Sequence, residues 1–257
     1  MSPPRPLALV TGAGRRQGIG AAVVARLAGD GWDVAWTYWS AYDSRMPWRA
    51  DPAAVGELQR AVVDAGGRGF ALEADLTDPA EPGRIFDGVL TSFGRPPRAL
   101  VMCHCESVDS GLLDTTVDSF DRHYAVNLRA SWLLVREFGL RFPPGEPDGR
   151  LIAMTSDATV GNLPYGATKG GLDRLVVSAA RELAHLRITA NVINPGPTDT
   201  GWMSAELLRT VRELTPLNRI GQPLDAANLV SFLCSPAGGW VNGQLLHSDG
   251  GVGTAPV

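Results

Sequence analysis

An α/β fold, a doubly wound sheet of about seven parallel strands flanked by helices, is what this sequence predicts on three observations: short β-rich apolar runs, longer stretches of helical period between them, and a glycine-rich turn straight after the first run. The runs at 7–11, 33–38, 69–73, 99–103, 150–155, 188–193 and 243–247 read as strands. The stretches near 19–29, 53–65, 79–93, 117–140, 165–185 and 223–234 read as helices. Their alternation implies parallel strands joined by helical crossovers.

The first strand runs into Thr11-Gly12-Ala13-Gly14-Arg15-Arg16-Gln17-Gly18-Ile19-Gly20, which opens directly into the apolar helix Ala21–Leu27. Glycines there allow a tight turn and let backbone N–H groups approach a pyrophosphate, whose charge the helix N-terminus favours. This marks the sheet as Rossmann-type and makes Gly12, Gly14, Gly18, Ile19 and Gly20 candidate dinucleotide contacts. The second strand closes on Trp36-Thr37-Tyr38-Trp39-Ser40, with no acid until Asp43 to bond a ribose 2′-hydroxyl. Arg15 and Arg16 offer guanidinium groups for a 2′-phosphate, so NADP(H) is expected ahead of NAD(H); solvated arginines are the alternative. The aromatic-rich connector at 38–49 is expected to pack on itself or at a subunit contact, with a lid over the adenosine end as the alternative.

In the fourth strand, alternation puts Cys103 and Cys105 on one face and His104 on the other. A structural zinc site needs four ligands and no second cluster exists, so no metal is expected. Asn127 lies in a helix among Ala125, Val126, Leu128 and Trp132, a buried setting in which its amide needs partners. The segment 143–149 reads as a turn-rich surface loop. Ser156 ends the fifth strand, at the carboxyl edge where open α/β sheets bind ligands. Tyr165 and Lys169, four residues apart, share one helix face, and a nearby ammonium lowers the phenol pKa from about 10, making Tyr165 a usable general acid or base. In the same helix Leu172, Leu175, Val176, Ala179, Ala180 and Leu183 recur at three- and four-residue spacing and form the face that packs on the sheet.

The chain has 257 residues, 44% hydrophobic and 19% charged, with a net charge of −4. No linker, composition shift or repeat divides it, so 1–257 is read as a single domain. Its acidic balance gives no reason to expect nucleic acid, and no apolar run nears the roughly 20 residues of a membrane helix. Three cysteines, an odd number without framework spacing, and an N-terminus without a signal-peptide stretch lead to the expectation of free thiols in the cytoplasm.

Taken together, the glycine loop, Asn127, Ser156, Tyr165 with Lys169, the run Asn194-Pro195-Gly196-Pro197-Thr198-Asp199-Thr200 and the terminal Ser248-Asp249-Gly250-Gly251 carry a resemblance. From Leu7 to Gly251 the sequence resembles the short-chain dehydrogenase/reductase superfamily in its single-domain form, nearest to the bacterial 3-oxoacyl-carrier-protein-reductase-like group. The resemblance implies that Tyr165 transfers the proton, Lys169 lowers its pKa and binds the nicotinamide ribose, Ser156 polarises the carbonyl and Asn127 holds a relay water. It adds Asp75, Leu76, Pro195, Gly196, Thr198 and Thr200 to the cofactor contacts. It also implies reduction of a small-molecule ketone, 3-oxoacyl or polyketide-like, to a secondary alcohol, or the reverse. Where relatives usually carry Asn-Asn-Ala-Gly, this chain has Met102-Cys103-His104-Cys105, the one feature favouring a catalytically degenerate dinucleotide-binding protein instead. Trp202 and Met203 read as an apolar wall of the substrate pocket. Relatives usually form tetramers, so a homotetramer is expected, built on the helices at 117–140 and 165–185 with Leu133, Leu134, Phe138, Leu175 and Val176 as surplus apolar positions.

Overall fold

The computed structural model describes residues 4–145, 148–158 and 160–254; Glu146 and Pro147 of the expected surface loop lie outside the described residues. Strands β1 (Leu7–Thr11), β2 (Asp33–Tyr38), β3 (Gly69–Glu73), β4 (Ala99–Met102), β5 (Gly149–Met154), β6 (Ile188–Asn194) and β7 (Leu245–His247) form one sheet in the order β3-β2-β1-β4-β5-β6-β7. Every neighbouring pair is parallel. β1, β4 and β5 are buried throughout, as strands of a parallel sheet covered on both faces must be. The last strand starts at Leu245 rather than 243, because Gly243 has a φ of 72°, outside the extended region.

The helices are α1 (Ile19–Gly29), α2 (Ser40–Arg45), α3 (Ala54–Asp64), α4 (Glu81–Phe93), α5 (Val117–His123), α6 (Ala130–Arg141), α7 (Leu163–Glu182), α8 (Ala205–Leu214) and α9 (Pro223–Cys234). Strand alternation divides the core between two layers. Ala8, Val10, Val34 and Trp36 pack under α1, α3 and α9, while Leu7, Leu9, Leu100 and Met102 pack under α4, α6 and α7. The apolar stripe of α7 is seated as its spacing predicts, with Leu172, Val176, Ala179 and Ala180 buried and Leu175 and Leu183 at the margin of the same cluster.

Three helical elements differ from the sequence reading, and one of them, α8, lies outside the stretches read as helices. The connector at 38–49 contains α2, a short helix that the loop-like composition conceals. The expected continuous helix at 117–140 is broken by a π-helical turn, Tyr124–Arg129, between α5 and α6. Such turns insert one residue and are frequent at functional sites; this one carries Asn127, which is 1% exposed. The surplus apolar set also needs correction. Leu134, Phe138 and Val176 are fully buried, because they lie on the stripes that face the sheet, and Leu175 packs against the same core. Exposed apolar side chains on α5, the π turn, α6 and α7 are instead Val117, Phe120, Tyr124, Trp132, Leu140 and Val177.

His104 braces the junction of β1, β4 and the π turn. Its Nδ1 lies 2.6 Å from Thr11 Oγ1, and its Nε2 lies 3.1 Å from the Val126 carbonyl and 3.2 Å from Ser131 Oγ. A neutral ring that donates from Nε2 to Val126 and accepts at Nδ1 from Thr11 satisfies both ends. Burial, assisted by the charge of Lys169, pushes the ring pKa down to about 3. Between that value and the ordinary 6.5 the unfolded chain takes up a proton that the folded chain refuses, so stability falls as pH falls through this window. Urea midpoints measured from pH 7 to about pH 4 are therefore expected to drop more steeply for the parent than for His104→Asn; parallel curves would refute this account.

Candidate active site

The carboxyl ends of the central strands open into a cleft of about 830 Å³. It lies at the switch point between β1 and β4, from which successive strands extend in opposite directions, the crevice where open α/β sheets bind ligands. Gly12, Gly14, Arg15, Gly18, Ile19, Gly20, Asp75, Leu76, Ser156, Tyr165, Lys169, Pro195, Gly196, Thr198 and Thr200 all line it, so the segments read from the sequence do converge. Asn127 and Arg16 do not.

The glycine loop is shaped by close approach. Gly12 has a φ of 77°, and a Cβ there would stand 2.6 Å from the His104 backbone; one on Gly20 would stand 2.4 Å from the Gly12 carbonyl. The first turn of α1 begins at Gly18 with no side-chain cap, leaving its N–H groups for a ligand. Bare amides at a helix N-terminus beside a side-chain-free loop fit a pyrophosphate. On the opposite wall Gly196, with a φ of 59°, packs against Asp249, and Thr198 Oγ1 lies 3.2 Å from the Pro195 carbonyl.

The two loop arginines part company. Arg16 turns outward, its Nε donating to Asp51 at 2.6 Å and its Nη1 lying 2.9 Å from Glu57. Arg15 stays in the cleft, stacked 4.3 Å over the Trp48 ring and donating to the Thr200 carbonyl. Trp48 in turn stacks on Trp202, with ring centroids 5.0 Å apart and planes 2° from parallel. Glycine loop, connector and the segment after β6 thus meet across the cleft. The connector packs partly on itself, Tyr42 against Trp48, and partly over the site.

Helix α2 also brings in residues that strand-end reasoning missed. Asp43 folds back against the glycine loop, its Oδ2 3.0 Å from where a Gly14 Cβ would stand, and its Oδ1 accepts from Trp48 Nε1 at 2.9 Å. Burial pushes this carboxyl up, against the Trp48 hydrogen bond and the charge of Arg15. The acid that looked too distant in sequence therefore lines the cleft. Arg45 forms an ion pair with Glu106, a cleft residue only 3% exposed. The aromatic connector was the one sequence signal for any of this.

Asn127 stands behind the cleft as a clamp. Its Oδ1 accepts from the Glu106 N–H at 2.7 Å, and its Nδ2 donates to the Glu106 carbonyl at 2.9 Å and to Thr168 Oγ1 at 3.0 Å. The exit of β4 is thereby tied to α7 between Tyr165 and Lys169. Lys169, the only lysine of the chain, is 2% exposed and donates from Nζ to the Met154 carbonyl at 2.8 Å; that Nζ lies 5.5 Å from the centre of the Tyr165 ring. Burial pushes the Lys169 pKa down, opposed by Cys105, Cys103 and Asp173. It pushes the Tyr165 phenol up, with Cys105 adding and Ser156 opposing. In the chain by itself burial, rather than Lys169, governs the phenol, which is held in its protonated, acidic form. The Cys103 and Cys105 thiols line the cleft beside Lys169, and burial raises both, Cys103 to about 12.

Comparison with known proteins places this geometry. A family model described as enoyl-(acyl carrier protein) reductase matches residues 12–253. An uncharacterised oxidoreductase of Bacillus subtilis, YjdA, is 36% identical over 250 residues, covering 95% of this chain and 96% of the relative. An NADPH-dependent aldehyde reductase-like protein of Arabidopsis thaliana is 31% identical, covering 97% of this chain and 96% of its own. The solved structure of a short-chain dehydrogenase/reductase from Serratia marcescens superposes with a TM-score of 0.85 at 29% identity, covering 98% and 99% of the two chains. Among the described residues no helix is long and apolar enough to cross a membrane. With its sheet order, its glycine cradle and Ser156, Tyr165 and Lys169 gathered in one cleft, the chain belongs to the short-chain dehydrogenase/reductase superfamily of NAD(P)-dependent oxidoreductases.

Proposed function

We propose that this protein is an NADPH-dependent carbonyl reductase that converts a small ketone to a secondary alcohol, and that the whole chain, 1–257, works as one catalytic unit. The observation that carries this is the half-buried Tyr165 phenol lining the cleft beside Ser156, with Lys169 one turn further along α7 and its Nζ 5.5 Å from the phenol ring centre. Gly12, Gly14, Gly18 and Gly20 would hold a dinucleotide in the cleft, and when bound it would supply the hydride for the carbonyl carbon. Tyr165 gives its proton to the carbonyl oxygen, and Ser156 donates a hydrogen bond to the same atom. Lys169 supplies positive charge that supports the phenolate left behind, and Asn127 fixes the β4 exit and α7 relative to each other. Trp202 and Met203 form the apolar wall against which the substrate lies. Three unbridged cysteines, all buried or half-buried, accord with a reducing, cytoplasmic setting.

Removing the phenolic hydroxyl deletes the proton donor and little of the cradle. Tyr165→Phe is expected to lower turnover of a ketone panel by about 10²- to 10⁴-fold while dinucleotide affinity stays within about threefold. Turnover within about threefold of the parent would remove Tyr165 from the mechanism.

NADPH is proposed on Arg15, the loop arginine that remains in the cleft, and on the NADPH dependence named for the Arabidopsis relative. Asp43 opposes it from the same wall. Fluorescence titration is expected to give tighter binding of NADPH than of NADH. Arg15→Ala should weaken NADPH by about 1.5–3 kcal/mol and leave NADH nearly unchanged, while Asp43→Asn should widen the preference for NADPH. Equal or tighter binding of NADH by the parent overturns the cofactor assignment.

We also propose a homotetramer. Val117, Phe120, Tyr124, Trp132, Leu140 and Val177 stand exposed on α5, α6, α7 and the π turn, apolar side chains that an association surface would cover. Light scattering at micromolar concentration is expected to give about four times the chain mass of 27.3 kDa, and a homogeneous species at the chain mass rules the assembly out.

A further inference from the structure

Lys169 is a buried ammonium, and a buried charge is held only where a partner compensates it. The groups that face it can be taken element by element. From the β4 exit come Cys103 and Cys105, thiols that burial keeps protonated, and His104, whose ring burial keeps neutral. From α7 itself come Tyr165, a protonated phenol, and Asp173, one helical turn beyond the lysine. β5 contributes the Met154 carbonyl, a dipole and not a charge. Asp173 is therefore the one anionic group in this set.

Its placement is unusual. Asp173 Oδ1 is buried and has no hydrogen-bond partner among the described residues, an arrangement uncommon in native interiors. The Thr155 hydroxyl donates to the Lys169 carbonyl at 3.4 Å and faces the Asp173 carboxyl, whose pKa it helps hold down. Thr155 is itself buried and lies between Met154, which Lys169 grips, and Ser156, which flanks the phenol. Burial pushes the Asp173 carboxyl up, while Thr155, Lys169 and the neighbouring Arg174 hold it down.

We propose that Asp173 is the counter-ion of Lys169, a positioning residue that keeps the ammonium charged and locks the end of β5 to α7 so that Ser156, Tyr165 and Lys169 hold one arrangement. It touches neither substrate nor dinucleotide and acts through Lys169. The proposal rests on the reading of Tyr165 as the proton donor with Lys169 as its charged support.

Because the chain has a single lysine, its protonation can be read directly. The full-length protein labelled with ¹³Cε-lysine gives one side-chain resonance, whose titration midpoint is measured in the parent, Asp173→Asn and Asp173→Glu. Asp173→Asn preserves the shape and removes the charge. Its Lys169 midpoint is expected to fall by about one unit, a tenfold loss of proton affinity, and the alkaline limb of the pH profile for ketone turnover should move down with it. Asp173→Glu is expected to restore both, and Thr155→Val to shift the midpoint in the same direction by less. A midpoint unmoved in both Asp173→Asn and Thr155→Val, with or without loss of turnover, makes Asp173 a structural brace and overturns the proposal. If the midpoint moves but Tyr165→Phe turns over like the parent, the counter-ion stands and the proposed function falls.

Discussion

The pinning of the β4 exit is the constraint on which the rest of the site depends. At Met102 the chain leaves the sheet at the point where successive strands begin to extend the other way. From there it must run between the glycine loop and the helices behind it without blocking the cleft. His104 fastens it to Thr11 and Val126, and two residues further on Asn127 grips both backbone polar groups of Glu106. A shift of this segment would move the wall that Gly12 touches, because there is no room for even a methyl group between them. The Met102–Cys105 run is thus a braced segment of the fold. His104 supplies the bracing there by a different chemistry, a buried neutral imidazole.

Burial has opposite consequences for the groups it surrounds, and the site uses both. A phenol in low dielectric is held protonated and an ammonium is pressed to lose its proton, so Tyr165 becomes a better-retained acid while Lys169 becomes a charge in need of support. The π-helical turn serves the same arrangement. It lets Asn127 face inward beneath α7, where each of its side-chain polar atoms finds a partner.

The cleft is also roofed. Arg15, Trp48 and Trp202 come from three segments far apart in sequence and stack in series, while Arg45 reaches the buried carboxylate of Glu106. The roof ties the glycine loop to the segment after β6, so the dinucleotide side and the substrate side of the cleft share one set of contacts.

The sequence by itself determined the elements whose physics is local. Short β-rich apolar runs and period-3.6 patterning marked the seven strands and most of the helices, glycine spacing marked the phosphate loop, and the four-residue spacing of Tyr165 and Lys169 put them on a common helix face, because local backbone geometry decides each of these. The tertiary structure alone decided what depends on contacts between distant segments. Arg15 and Arg16 are adjacent and look equivalent, yet one packs on Trp48 and the other pairs with Asp51 and Glu57. Asp43 seemed too far beyond β2 to matter until α2 folded it back onto Gly14. Leu134 and Phe138 looked available for association until the sheet claimed them, and the pKa directions at Tyr165, Lys169 and His104 followed from how much protein surrounds each group. Burial and long-range pairing are properties of the packed chain, set by which surfaces meet, and no local period records them.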